Sequence, residues 1–415
     1  MTLAPIVAAI RRGGALTACA GLLLAAHGHA QANPRARDLG VPLDGTPGPL
    51  NAITDVPGVR VGHATIIRGA GRRVMGEGPV RTGVTAVLPR GDNLTDPVFA
   101  GWFTLNGNGE MTGTTWLEES GFLEGPVLIT NTHSVGVVRD AVIAWLVNRG
   151  RQFSWALPVV AETWDGGLND INGFHVKAEH AFAALDSAHG GPVPEGNVGG
   201  GTGMVCHQFK GGIGSSSRRV TVAGNGYTLG VLVQCNYGSR SLLRIAGVPV
   251  GAEIADLMPC YVTPPSGEPD ARICGRSAPE GPDAEPGGSI IVVIATDAPL
   301  LPHQLERLTR RTGLGLGKMG SIASNGSGDI FIAFSTANPG ADRGPGPVAL
   351  SAITNEQMNT LFLATVEATE EAIINALVAA ETMTGADDYR VYALPHDRLR
   401  TALGKYGRLR EGAPR

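Results

Sequence analysis

A run of six apolar residues, 290–295 (IIVVIA), constrains the fold of this chain more than any other stretch. Because the run does not alternate with polar residues and is rich in β-branched side chains, it predicts a strand that is buried on both faces. Ser289 precedes this run, and the 26 residues before the serine, 263–288, contain six prolines and five glycines. This composition does not pack a core, and it predicts a flexible tether. Ser289 is therefore expected where a tether meets a rigid core strand.

The tripeptide Gly287-Gly288-Ser289 has two interpretations. It is either a glycine-rich turn before an ordinary strand or a site at which the chain cuts itself between Gly288 and Ser289. In self-cutting chains a hydroxyl attacks the carbonyl of the preceding residue, and the new N-terminal residue then carries both a hydroxyl and an α-amine. The amine has an unperturbed pKa of about 7.7–8.0, so it can act as the base for its own hydroxyl. The tripeptide alone does not decide between the two interpretations.

The first 32 residues have the pattern of an export signal. Arg11-Arg12 precedes an apolar segment at 13–26, and Ala30-Gln31-Ala32 offers the small residues of a cleavage site. These features predict a mature chain that begins near Asn33 and is periplasmic or secreted. Sec and twin-arginine export both stay open, and Cys19 offers an alternative lipoprotein cleavage site. No later stretch is apolar for long enough to span a bilayer, so no stable membrane insertion is expected.

Composition limits the classes of partner and cofactor. The 415 residues are 43% hydrophobic, which is enough for one large domain or two to three smaller ones. The net charge of −4 gives no basic surface and argues against nucleic acid as a partner. His175 and His180 miss the spacing that would present both to zinc on a helix, and the sequence calls for no metal and no cofactor.

Four cysteines follow the leader. They are Cys206, Cys235, Cys260 and Cys274. The last two bracket the start of the predicted tether, and an oxidising compartment would permit a bridge between them. The sequence does not say whether this bridge forms.

Strands and helices alternate along most of the chain, which indicates a mixed α/β fold. Strands are predicted at 83–88, 126–131, 158–165, 219–223, 228–234, 290–295 and 330–335. Helices are predicted at 135–149, 176–188, 302–311 and 354–384. The segment between the first two strands is predicted to be polar loops, and the arginine-rich tail from Pro395 a solvated end. The glycine cluster at 197–214 matches neither a phosphate loop nor a dinucleotide loop, and it is interpreted as a crowded turn beside a site.

Five sequence blocks resemble, in the same order, the self-processing L-aminopeptidase/D-esterase family, which includes the β-peptidyl aminopeptidases. The blocks are AETWDG (161–166), GGGTGMVCHQFKGGIG (199–214), VLVQCNYG (231–238), GGSIIVVIATDAPLLPHQLERL (287–308) and NGSGDIFIAFSTAN (325–338). The resemblance implies an αββα four-layer sandwich related to N-terminal-nucleophile hydrolases. It also implies cleavage into two chains, 33–288 and 289–415, that remain parts of one hydrolase domain, and assembly of several two-chain units into a homo-oligomer.

The resemblance assigns the nucleophile and its two polar partners. Ser289 matches the family's nucleophile at the new N-terminus. Ser327 and Asp329 match the serine and the acid that line up with it, which implies that the carboxylate polarises Ser327 and that Ser327 hydrogen-bonds Ser289 to steer its proton. Many relatives have Glu at the Asp329 position, and the shorter side chain is expected to lengthen that contact.

The resemblance also implies how substrate is held. Asn236 matches the family's oxyanion donor, whose amide stabilises the charge of a tetrahedral intermediate. Glu162 matches the acid that meets the substrate's free ammonium. Trp164 lies where some relatives have Tyr, which predicts a differently shaped acyl pocket. The implied substrates are short peptides, amides or esters with a free amino group.

Two other functions are alternatives to this exported aminopeptidase. One is an acyltransferase that resembles the ornithine acetyltransferases, which also cut themselves but use threonine as the nucleophile; Ser289 and Glu162 favour the peptidase. The other is a non-catalytic periplasmic binding protein whose linker is merely flexible.

Overall fold

The computed structural model describes residues 34–265, 271–276 and 288–410. The predicted leader, residues 1–32, lies outside the described residues, and so does most of the predicted tether.

The described residues form strands and helices that we number in chain order. The strands are β1 (Arg60–Arg68), β2 (Val80–Leu88), β3 (Val98–Gly107), β4 (Phe122–Leu123), β5 (Val127–Asn131), β6 (Val159–Thr163), β7 (Val205–Cys206), β8 (Phe209–Lys210), β9 (Gly212–Val222), β10 (Asn225–Asn236), β11 (Cys260–Tyr261), β12 (Gly288–Thr296), β13 (Ser327–Ser335), β14 (Met383–Thr384) and β15 (Tyr389–Val391). The α-helices are α1 (Thr114–Ser120), α2 (Val135–Asn148), α3 (Ala178–Asp186), α4 (Val250–Glu253), α5 (Pro302–Lys318), α6 (Asn359–Ala379) and α7 (His396–Lys405).

Two sheets pack face to face at the centre of the fold. The larger sheet has the strand order β4-β3-β13-β12-β10-β9, and the smaller has the order β1-β2-β5-β6. The apolar cluster between them includes Ile291 and Val293 of β12 and Ile129 of β5. In the larger sheet, β12 pairs antiparallel with β10 and parallel with β13.

Helices cover the outer face of each sheet. Leu308 of α5 and Leu361 of α6 share a cluster with Val292 of β12. Val138 of α2 and Ala184 of α3 pack against the smaller sheet. The resulting layers are helix, sheet, sheet and helix, which confirms the predicted αββα sandwich. Among the described residues, none of the helices is both long enough and apolar enough to cross a bilayer.

The predicted core strand is confirmed. Every residue of 290–295 is fully buried. Alternate side chains of β12 enter different clusters, because Val292 faces the helices and Val293 faces the other sheet. A strand buried on both faces requires apolar residues at every position, which is the reason the sequence shows no alternation.

Two predictions about connecting segments are wrong. The predicted polar loops between the first two strands include β3, which pairs antiparallel with β13 in the larger sheet. Gly101 of β3 has no side chain because a Cβ there would lie 2.5 Å from the backbone nitrogen of Glu306 on α5. The predicted solvated tail contains α7, whose Leu399 and Leu403 are fully buried in the helix-side cluster.

Two disulfides link the described cysteines. Cys260 pairs with Cys274 at 2.09 Å, and Cys206 pairs with Cys235 at 2.06 Å. Residues 271–276 of the predicted tether are also tied to β11, because the Tyr261 amide donates to the carbonyl of Arg272 at 2.8 Å. For these six residues the prediction of a flexible tether is wrong, because a disulfide and strand-like pairing hold them.

The burial of α7 gives a test of this correction. We expect Leu399→Ala to lower the free energy of unfolding by about 2–5 kcal/mol, because it removes a fully buried side chain and leaves a cavity. Leu363→Ala, at a position on α6 whose side chain is 59% exposed, is the control and should cost less than about 0.5 kcal/mol. Chemical denaturation of both variants measures the difference. Equal stabilities would mean that the tail does not belong to the core.

Candidate active site

Three adjacent strands of the larger sheet bring the predicted site residues into one row. Asn236 at the end of β10 lies opposite Ser289 near the start of β12, and Ser289 in turn lies beside Gly328 on β13. Gly288 lies beside Ser327. Strand register fixes this row. The burial of the apolar residues 290–295, which follow Ser289 in β12, therefore also fixes the position of Ser289 relative to Asn236.

Ser289 is almost enclosed, with 4% of its surface exposed. Its Oγ accepts a hydrogen bond from the backbone N–H of Gly328 at 3.2 Å. Residue 288 must be glycine here, because its φ is +155° and a Cβ would lie 2.1 Å from the carbonyl oxygen of Asn236. The backbone on either side of the predicted cleavage point is therefore held close to β10.

Asp329 and Ser327 form a buried pair. The Ser327 hydroxyl donates to Oδ1 of Asp329 at 2.7 Å, so the aspartate does not lengthen this contact as the sequence suggested. Oδ2 of Asp329 is buried and has no hydrogen-bond partner among the described residues. Burial raises the pKa of Asp329 to about 6, although the Ser327 hydroxyl and the backbone amide of Ile290 act against this shift.

The Ser327–Asp329 pair lies on the opposite face of the sheet from the Ser289 side chain. Side chains alternate along a strand, so Ser289 shares the face of Ile291, toward the smaller sheet, whereas Asp329 shares the face of Phe331, toward the helices. Among the described residues no hydrogen bond joins Ser327 to Ser289. In this uncut chain Ser327 therefore does not make the predicted hydrogen bond to Ser289, and the Gly328 amide contacts the Ser289 hydroxyl instead.

Asn236 is oriented by two backbone contacts. Its Oδ1 accepts from the N–H of Val205 at 2.7 Å, and its Nδ2 donates to the carbonyl of Trp164 at 2.9 Å. An amide nitrogen carries two hydrogens, so one N–H of Asn236 remains for a further acceptor. Because Asn236 lies opposite Ser289, that acceptor can be an oxygen that develops charge beside the serine.

Glu162 is a buried carboxylate at the end of β6. Its Oε1 accepts from the backbone N–H of Glu110 at 3.0 Å, and its Oε2 accepts from the Thr132 hydroxyl. Burial raises the pKa of Glu162, while the contacts from Thr132 and Glu110 and the proximity of His133 act in the other direction. No lysine or arginine forms an ion pair with it among the described residues.

Gly109 connects this carboxylate to the serine row. A Cβ at Gly109 would lie 3.2 Å from Oε1 of Glu162 and 3.2 Å from the Cα of Gly328. Gly109 therefore lies between Glu162 and Gly328, the residue whose amide contacts Ser289. Trp164, two residues beyond Glu162, is 53% exposed at the surface of the same region. The structure thus brings together all the residues that the sequence singled out.

Sequence reasoning missed several residues of this site. Asn106 accepts from the Asp329 amide at 2.9 Å, and it lies in β3, a strand within the segment predicted to be loops. Tyr237 follows Asn236, and burial raises its pKa well above the ordinary value. Its buried hydroxyl has no partner among the described residues. The sequence feature that could have indicated Tyr237 is its position in the block VLVQCNYG. The Gly328 contact is made by a backbone amide, so the residue type does not predict it.

Among the described residues, no group of three or more His, Cys, Asp or Glu side chains could hold a metal ion.

Comparison with known proteins decides the family. The model of Peptidase family S58 matches residues 51–391. The chain belongs to this family. It is 56% identical over 392 residues to the β-peptidyl aminopeptidase BapA of Sphingosinicella microcystinivorans, covering 94% of this chain and 96% of the relative. This S58 chain is therefore a serine-type aminopeptidase, which excludes the non-catalytic alternative.

Solved structures support the same assignment. The L-aminopeptidase D-Ala-esterase/amidase of Ochrobactrum anthropi, described as a prototype of the serine aminopeptidases and a variant of the Ntn hydrolase fold, superposes with a TM-score of 0.81. It is 48% identical and covers 91% of this chain and 99% of its own. A β-aminopeptidase from Burkholderia sp. is 46% identical, with a TM-score of 0.78 over 90% of this chain and 99% of its own. The S58 chain accordingly has an Ntn-hydrolase type of αββα fold.

The raised pKa of Asp329 predicts a pH-dependent stability effect. The ordinary pKa of aspartate is about 3.9, so between about pH 4 and pH 6 the folded state keeps a proton that the unfolded state has released. Stability therefore falls as the pH rises through this window. We expect Asp329→Asn, which cannot ionise, to melt a few degrees above its parent at pH 8, with the gap closing toward pH 4, when both chains carry Ser289→Ala so that the bond between Gly288 and Ser289 stays intact.

Asp140→Asn, at a site on α2 whose side chain is 80% exposed, controls for the loss of one negative charge. Differential scanning calorimetry at several pH values measures the effect. If the two uncut chains, with and without Asp329→Asn, melted together at every pH, the raised pKa of Asp329 would be contradicted.

Proposed function

We propose that the chain is an exported, self-cleaving aminopeptidase that releases N-terminal β-amino acid residues from short peptides and amides through an acyl-enzyme on Ser289. The observation that carries the proposal is the buried carboxylate of Glu162, which has no lysine or arginine partner among the described residues and lies one glycine from the Ser289 row. A substrate ammonium would supply the missing positive charge. The names of the β-peptidyl and β-aminopeptidase relatives support a β-residue as the substrate.

The proposed self-cleavage uses the same serine. Oγ of Ser289 attacks the carbonyl carbon of Gly288, the C–N bond breaks, and the acyl group moves from nitrogen to oxygen. Water then hydrolyses the ester, leaving a Gly288 carboxylate and an α-amine on Ser289. Strand pairing at Ser327 and the close approach of Asn236 to Gly288 would hold the scissile peptide for this attack.

In the proposed turnover the α-amine of Ser289 takes the proton of its own hydroxyl as Oγ attacks the substrate carbonyl. The free N–H of Asn236 stabilises the oxyanion, and the protonated amine then gives its proton to the leaving amine. Water hydrolyses the acyl-enzyme with the same base. The Gly328 amide, which donates to Oγ, aligns the nucleophile.

The strand geometry supports a revised role for Ser327 and Asp329. They lie beside Gly288 and Ile290, on the face opposite the Ser289 side chain, so they flank the Ser289 nitrogen rather than its hydroxyl. We assign this pair to holding the new α-amine. Its negative charge would favour the protonated amine that must form during each attack.

Export and assembly are further parts of the proposal. The leader pattern at 1–32 and the two disulfides of the described residues support an oxidising compartment, periplasmic or extracellular. The family resemblance supports assembly of two-chain units into a homo-oligomer. Membership of a peptidase family favours hydrolysis over the transfer reaction of the ornithine-acetyltransferase alternative.

Ser289→Ala tests the nucleophile. We expect one uncut chain without activity, because the methyl group can attack neither Gly288 nor substrate, whereas wild type should run as two bands on a denaturing gel. Ser351→Ala is the control, since within the described part of the chain this exposed serine makes hydrogen bonds through its backbone atoms only. Intact-mass measurement would also show whether the larger chain begins near Asn33. A Ser289→Ala protein that is cut and active would rule out the mechanism.

Glu162→Gln tests ammonium recognition. The glutamine can still accept from the Glu110 amide and can donate to Thr132, so the site should keep its shape while losing its charge. We expect kcat/KM for β-alanyl-p-nitroanilide to fall at least about tenfold, mainly through KM, because a buried charge pair is lost. Self-cleavage should persist.

Glu119→Gln, on the exposed surface of α1, is the matched control and should behave as wild type. The N-acetylated substrate gives the second measurement, since wild type should reject it and the variant should discriminate less. Unchanged kcat/KM and unchanged discrimination would show that Glu162 does not bind the ammonium.

A further inference from the structure

Phe174 combines strain and exposure in a way that packing does not explain. Its φ is +51° and its ψ +49°, the left-handed region that a bulky side chain rarely adopts. At the same time its side chain is 57% exposed, so burial does not compensate the strain. Strained backbone conformations cluster at functional sites, where the surrounding structure holds them in place. The strained and exposed Phe174 therefore indicates a functional position.

Buried contacts on both sides of Phe174 impose this conformation. The Gly173 amide donates to the carbonyl of Asp170 at 3.1 Å, and Oδ2 of Asp170 accepts from Nε2 of His175 at 2.8 Å. Arg68 donates to the other ring nitrogen of His175 at 2.8 Å, which fixes the proton on Nε2. The Asp170 and His175 side chains are almost fully buried. A buried polar network therefore holds the backbone that presents one phenyl ring to solvent.

The ring lies beside the proposed ammonium site. It stacks on His133, with 6.1 Å between ring centroids and an interplanar angle of 25°. His133 follows Thr132, whose hydroxyl donates to Oε2 of Glu162. We call the stacked pair Phe174 and His133 the aromatic wall. One member of the wall, His133, is the neighbour in sequence of Thr132, which contacts the Glu162 carboxylate directly.

We propose that the aromatic wall is a specificity-determining surface that contacts an apolar side chain on the carbon bearing the substrate's amino group. This inference rests on the proposed function, in which Glu162 holds that amino group. A side chain on this carbon is attached to the atom that is bonded to the ammonium nitrogen. When Glu162 binds the ammonium, the side chain must therefore lie against residues close to Glu162. On the Gly328 side those surroundings are the bare backbone of Gly109, and on the Thr132 side they are the aromatic wall.

Isomeric substrates give a sharp test. In a β³-homoleucyl residue the isobutyl group is on the carbon bearing nitrogen, and in a β²-homoleucyl residue it is on the carbon next to the carbonyl. For Phe174→Ala we expect kcat/KM for β³-homoleucyl-p-nitroanilide to fall roughly tenfold, mainly through KM. The values for β²-homoleucyl- and β-alanyl-p-nitroanilide should change less than about twofold, because neither has a group that reaches the wall.

Phe174→Gly separates the contact from the fold. Glycine adopts the left-handed conformation without strain, so this variant should melt at or above the wild-type temperature while losing the same selectivity. Leu363→Ala, which removes an equally exposed apolar side chain from α6, is the control and should leave selectivity unchanged.

The outcomes distinguish this inference from the proposed function. Wild-type enzyme that hydrolyses none of the three substrates would refute the proposed function and this inference with it. Active enzyme whose ratio of β³ to β² hydrolysis is the same in wild type and in both Phe174 variants would refute only the wall. Variants that change the oligomeric mass and leave this ratio unaltered would also refute the wall, since Phe174 would then be an interface residue.

Discussion

The hydrogen-bonded register of β12 between β10 and β13 is the constraint on which the site depends. It sets Ser289 opposite Asn236 on one side and beside Gly328 on the other. A shift of this register by one residue would turn the Ser289 side chain toward the helices. It would also move each apolar side chain of 290–295 to the opposite face of the sheet. Because the residues of 290–295 are fully buried in two different clusters, such a shift is costly, and the core thereby fixes the position of a single hydroxyl.

The sequence was a good guide wherever one local pattern determined the outcome. The run at 290–295 had no alternation because both faces of β12 are covered, and this could be inferred without a structure. Strand β3 was missed for the opposite reason. Its sequence, VFAGWFTLNG, contains a glycine that lets α5 approach closely, and several of its other side chains are half-buried or exposed, so it lacks the pattern of a core strand. Likewise α7 was missed because an arginine lies on each side of the buried Leu399.

Long-range geometry could not be predicted in the same way. The family resemblance grouped Ser289, Ser327 and Asp329, and the structure places them on the paired strands β12 and β13. The resemblance could not say which face of the sheet each side chain occupies. The face depends on which alternate residues of β12 and β13 point to the same side and on how the two strands pair. The sequence of one strand alone does not determine this. The result is that a backbone amide, Gly328, contacts the serine hydroxyl where a side chain was expected. Backbone donors are invisible to reasoning from residue types, because every residue except proline has one.

Buried polar atoms around the serine row show how this site differs from the core that holds it. Oδ2 of Asp329 and the hydroxyl of Tyr237 are both buried without a hydrogen-bond partner among the described residues, a state that folded proteins usually avoid. Such groups cost stability, and at a catalytic site they are tolerated when the reaction uses them. Under the proposed cleavage, a charge appears at the Ser289 nitrogen that the uncut chain does not have. An unsatisfied carboxylate oxygen next to Ile290 is a poor arrangement for the precursor but a good one for a chain that has gained an ammonium. If the chain is cut as proposed, the buried Asp329 carboxylate, whose burial raises its pKa in the uncut chain, would gain a stabilising contact with the new ammonium. The fold would then be better matched to the cut chain than to the uncut one.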